Sequence, residues 1–195
     1  MAGAGKGSTR SRQRRSALDT LGSLELAGVL AELLRRRPEL RSEAEALARQ
    51  RLADTDMEAV ADAVESDLQS LSIDELNGRA GRQRWGYVEP TDAAWELLGE
   101  AVEPYDHEVE RLVTLGMIEA ATATALGVIA GLYRSRDCED GDRLLSWAPD
   151  FPWEHASTVM DKLAKARIKL SREAVEEAAP TWVDSLVSSR PTRGW

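Results

Sequence analysis

From Ala120 to Tyr133 the chain carries no charged residue, in a sequence of which 30% is Asp, Glu, Lys or Arg. A stretch that avoids charge for so long is suited to burial, and its Ala- and Leu-rich makeup propagates helix rather than strand. It is too short to cross the roughly 30 Å hydrocarbon core of a bilayer, so it predicts a central core helix. Its small residues, Ala120, Ala121, Ala123, Ala125, Gly127 and Ala130, leave room for neighbouring helices to approach closely.

The flanking segments supply those neighbours. Trp95, Leu98, Val102, Tyr105, Val109 and Leu112 recur every three or four residues. They predict one long helix with a narrow apolar seam, bent at Pro104, that faces either the core or a second copy. A first helix is expected from the capping box Ser16–Asp19 onward, with apolar positions Leu24, Leu26, Val29, Leu30, Leu33 and Leu34. Arg35, Arg36 and Arg37 suit its negative end, and Pro38 stops it. A second helix is expected from Pro38 to Leu52. A third is opened by a Thr55–Glu58 capping box and carries the stripe Met57, Val60, Val64, Leu68 and Leu71. A short fourth is opened by Ser72–Glu75 and ended by Gly78 and Gly81. Residues 81–90 read as a loop.

Beyond Tyr133 a polar loop is expected with one turn at Leu144–Trp147. Two last helices follow, from about Pro152 to Leu170 and from Ser171 to Val187, the latter bent or split by Pro180. The six tryptophans read mostly as core, Trp195 alone as exposed. The fold class is therefore all-α: a compact multi-helix bundle of about seven or eight helices. A short HEAT-like solenoid is the second choice, since no repeat register emerges.

Charge divides the chain into parts. Residues 1–15 hold five of the 25 cations and none of the 34 acids, so the rest stands at −14. Low apolar content makes 1–15 a disordered basic tail, 16–187 one helical domain and 188–195 a loose tail. The N-terminus lacks an apolar core of the secretory type, and Cys138 as the only cysteine excludes an internal disulfide. Together they predict a soluble, acidic, cytoplasmic protein with no membrane segment.

Reactive constellations fail one by one. The residue three before His107 is Pro104 and three before His155 is Pro152, so neither forms a Glu-x-x-His metal pair. His107 falls on an outer acidic face with Glu96, Glu100, Glu103 and Glu110. In the loop from Asp137 to Asp142 the glycine and the twelfth position miss calcium-loop spacing. Cys138 has Asp137, Glu139 and Asp140 beside it, which oppose a thiolate, and His155 is its only histidine neighbour in sequence. GAGKGS lacks phosphate-loop spacing. No metal and no cofactor are expected.

One loop invites a ligand. Arg79, Arg82 and Arg84 interleave with Trp85 and Tyr87 between glycines, a pattern that tracks phosphates and stacks on bases. It serves equally as a loop anchored by its aromatics with the arginines paired to acidic helices. The sequence therefore predicts a non-enzymatic binding or regulatory protein acting through protein–protein contacts with an unidentified protein partner or a second copy as a homodimer. The alternative is a nucleic-acid-associated protein using the basic tail and the loop 79–87, with weak binding because the acidic body repels phosphate. A third reading is an enzyme with its site around the loop 134–155.

Overall fold

The structure, a computed structural model, describes residues 16–84, 86–136 and 143–188. The fold is all-α, a multi-helix bundle with nine α-helices among the described residues and one two-stranded hairpin. Its contacts divide the chain between Ala48 and Arg49 into two compact units.

In the first unit Ser16 caps a single 3-10 turn, Ala17–Thr20, through the expected reciprocal box with Asp19. The helix itself, α1 (Ser23–Arg36), begins later, where the Glu25 carboxylate accepts from the Gly22 amide at 2.9 Å. Pro38–Leu40 forms another 3-10 turn that leads into α2 (Arg41–Ala53). Neither α1 nor α2 buries a residue.

The second unit is built around α6 (Ile118–Ser135), which packs against α3 (Met57–Ser70), α5 (Pro90–Thr114), α7 (Phe151–Lys165) and α8 (Arg172–Ala178). One helix surrounded by four others is a bundle; a solenoid would stack each pair only on its neighbours. α3 and α6 meet at two glycines one turn apart that leave no room for a side chain. A Cβ on Gly127 would lie 2.6 Å from the Val60 Cβ and 2.7 Å from the Met57 carbonyl oxygen. On Gly131 it would lie 2.7 Å from both the Ala61 carbonyl oxygen and the Val64 Cβ. Any side chain there would push the helices apart.

Local signals explain most boundaries. Ser72 and Glu75 cap each other at the start of α4 (Ile73–Arg79). The cap of α3 is Asp56 rather than Thr55: the Asp56 carboxylate accepts from the Glu58 amide, while the Thr55 hydroxyl donates to the Leu52 carbonyl. Gly116, at φ +71°, ends α5, and the Met117 amide donates back to the Leu112 carbonyl at 2.9 Å. α5 runs through Pro104 without interruption. Its buried side is wider than the expected seam, adding Ala93, Ala94, Leu97 and Asp106, because α3, α4, α6 and α7 all pack on it.

Three further expectations are corrected. Residues 81–88 are not a plain loop but a hairpin, β1 (Gly81–Gln83) against β2 (Gly86–Val88), with Arg82 opposite Tyr87. α7 stops at Lys165 rather than near Leu170, because Arg167 takes a left-handed backbone, φ 61°, and the Ile168 amide donates to the Leu163 carbonyl. Trp147 and Trp153 are exposed rather than core. Past α8, Pro180 splits the last helix as expected, and α9 (Val183–Ser188) follows. No helix among the described residues is long and apolar enough to cross a membrane.

Candidate functional site

The expected binding loop is the tip of the hairpin and the helix end before it. Arg79, in the last turn of α4, makes a two-pronged contact with Glu100 of α5, at 2.6 and 2.9 Å, and reaches Glu96 at 3.7 Å. The Glu100 carboxylate holds the Arg79 guanidinium above its ordinary pKa, and Arg79 in turn pulls Glu100 down. A hollow of about 660 Å³ lined by Glu75, Glu96 and Glu100 surrounds this pair, so Arg79 faces acids. Arg82 and Arg84 differ. They are exposed and make no ion pair with a described residue. Tyr87 is 65% exposed and shares a face with its cross-strand partner Arg82. Arg82, Arg84, Gly86 and Tyr87 line a shallow concavity of about 740 Å³. Trp85 lies outside the described residues, so the structure brings together three of the five expected residues and turns Arg79 away from them.

A second cluster was not legible as a site. Asp106 of α5 is 8% exposed and faces α7, where His155 and Lys162 stand two turns apart. Asp106 Oδ2 lies 3.3 Å from His155 Nε2 and accepts from Lys162 Nζ at 3.2 Å. Lys162 also reaches Glu110 at 2.8 Å. Among the described residues, neither His155 Nε2 nor Asp106 Oδ1 has a hydrogen-bond partner. Burial pushes the Asp106 carboxyl up, but the His155 ring and then the Lys162 ammonium outweigh it and hold the group below the usual carboxylate range. Lys162 is likewise opposed by burial and held up by Glu110 and Asp106. The imidazole stacks on Phe151 at 5.3 Å, and Phe151 meets Trp95 edge-on at 5.0 Å. Chemically this is a carboxylate, an imidazole and an ammonium in a mostly closed setting. Among the described residues no hydroxyl hydrogen-bonds to His155.

Cys138 and the acidic segment 137–142 lie outside the described residues, as do the basic tail 1–15 and residues 189–195. His107 is exposed and sits 3.7 Å from Glu103, on the outer acidic face where its helical phase puts it.

The third feature is α1. Leu26, Val29, Leu30 and Leu33 follow the i, i+3, i+4, i+7 spacing of one helix face, and each is 41–49% exposed. A stripe of this kind normally covers a core. Within the first unit no helix buries it.

No family model, no curated protein and no solved structure matches the chain.

Proposed function

We propose that the protein is a non-enzymatic binding protein that works through protein–protein contacts, with the apolar face of α1 as the contact surface. The observation that carries this reading is the exposed stripe Leu26, Val29, Leu30 and Leu33 on a helix that buries no residue. A lone helix of 14 residues is marginal in water, and its stability in proteins comes from packing its apolar face. Contiguous exposed apolar side chains of this kind mark interaction surfaces.

Affinity capture with the full chain in the presence of nuclease tests this. Leu26→Ser with Leu30→Ser is expected to reduce the recovered protein partner at least ~10-fold, since each leucine removes a buried apolar contact. Arg82→Ala with Arg84→Ala is expected to leave it unchanged. A partner held equally well by the leucine variant overturns the reading.

A second reading draws on the hairpin. Arg82 and Arg84 without ion pairs to described residues, and Tyr87 exposed beside Arg82, favour an anionic ligand with a flat ring system, of which single-stranded nucleic acid is the type.

A further inference from the structure

We propose that the α1 face is covered by α1 of a second copy of this chain, the two helices running antiparallel about a two-fold axis. This rests on the reading of α1 as a contact surface and names its occupant. The argument is the distribution of charge along the helix. From residue 16 to residue 34 the chain carries Asp19, Glu25 and Glu32 and no cation, and Arg35, Arg36 and Arg37 follow directly. Parallel copies would set arginines against arginines and acids against acids. Antiparallel copies set each basic end against the other copy's acidic end.

The helical phase agrees. At 100° per residue, Leu26, Val29, Leu30 and Leu33 span one face, and Glu25 and Arg36 both flank that face on the same side. In an antiparallel pair centred between Val29 and Leu30, Leu26 is level with Leu33 of the second copy. Glu25 then lies within about one turn of Arg36 from the second copy, and symmetry repeats the pair. Both side chains are on the surface and within reach: Arg36 contacts Glu32 at 2.6 Å in its own helix, and Glu25 caps Gly22. Leu24, 90% exposed, falls outside the stripe, as it should if the stripe alone is covered. A single-helix seam buries less than the ~800 Å² per partner of a standard interface, so the pair is weak and concentration-dependent.

Sedimentation equilibrium of the full chain from ~5 to ~200 µM should show a shift from monomer to dimer. Leu30→Ser should raise the dissociation constant at least ~10-fold while the helical circular dichroism of the rest of the chain is retained. Orientation is read by disulfide capture in a Cys138→Ser background. A mixture of Leu26→Cys and Leu33→Cys chains should cross-link to each other several-fold more than either does to itself. Self-linked products in excess would overturn the antiparallel arrangement, and a dimer insensitive to Leu30→Ser would overturn α1 as its interface. A monomer across the whole concentration range overturns the second copy as occupant. In that case a partner lost on capture by the leucine variant would still support α1 as a binding surface, and no such loss would sink both readings.

Discussion

Asp106 Oδ2 of α5 lies 3.3 Å from His155 Nε2 of α7, and the ammonium of Lys162 bonds the same oxygen at 3.2 Å. A carboxylate so enclosed stays charged because those two neighbours outweigh the penalty of burial. Its pKa is lower in the fold than in the unfolded chain, so its contribution is complete above about pH 4–5 and is lost as pH falls through the folded value. Asp106→Asn should therefore flatten the acid limb of a stability-against-pH curve measured by urea unfolding. At pH 7 Asp106→Ala should cost ~1–3 kcal/mol, since it leaves part of a buried charge cluster unmatched. An unchanged acid limb in the asparagine variant would mean the cluster does not set it.

The same substitution should act with opposite sign at two glycines. Gly131→Ala places a Cβ 2.7 Å from the Ala61 carbonyl, and backbone cannot step aside as a side chain can, so a loss of ~1–3 kcal/mol is expected. Gly99→Ala, in the interior of α5 with nothing within 4 Å of the new Cβ, should gain ~0.5–1 kcal/mol from helix propensity alone. Thermal or urea melts of the two variants decide it; a tolerated Gly131→Ala would show that α3 and α6 are less tightly opposed.

Tyr105 donates its hydroxyl to Asp67 Oδ2 at 2.6 Å, joining α5 to α3. Burial first, and the Asp67 carboxylate second, push the phenol far above its ordinary pKa. Its contribution is thus whole below the unfolded value near ~10 and declines as pH rises through the folded one. In an absorbance titration of the chain's three tyrosines, one phenolate should appear late, and Tyr105→Phe should remove that last step. A variant with the same late step would reassign it to another tyrosine.

The nucleic-acid reading also has a number attached. Two arginines without described ion pairs give at most two phosphate contacts on the hairpin, hence a log–log salt slope of about −1.4 on single strands. Competition at low salt between the −14 body and the tail should keep that binding weak. Fluorescence anisotropy with a chain lacking residues 1–15 measures the hairpin alone. A slope near this value, abolished by Arg82→Ala with Arg84→Ala, would favour nucleic acid as the ligand over a protein partner.

What the sequence disclosed was what short-range physics decides. The Ser72–Glu75 box and the break at Pro180 depend on residues within one turn, so they could be read directly. The central place of α6 followed from the uncharged stretch 120–133. The hairpin was hidden because its strands have three residues each, too few for an alternating pattern, leaving only Gly81 and Gly86 as signals. The end of α7 was hidden because a left-handed Arg167 carries no glycine to announce it. Asp106 did leave a trace: it sits four residues after Val102 and three before Val109, inside the apolar seam. Its partners on α7 could not be inferred, since periodicity gives the buried face of a helix but not what meets it. The α1 stripe misleads in the opposite sense, for the spacing that marks Val64 and Leu68 as buried leaves Leu26, Leu30 and Leu33 exposed.

Because α1 buries no side chain, its amide hydrogens are guarded by backbone bonds alone. They open by fraying and local helix–coil exchange, without waiting for the rest of the chain to unfold. The amides of α6, enclosed by four helices, exchange only when the bundle itself comes apart. Deuterium uptake should therefore be fast in 23–36 and slow in 118–135 of a dilute sample. Only the first should slow as the protein is concentrated, which makes the exchange rate of one helix a gauge of who is bound to it.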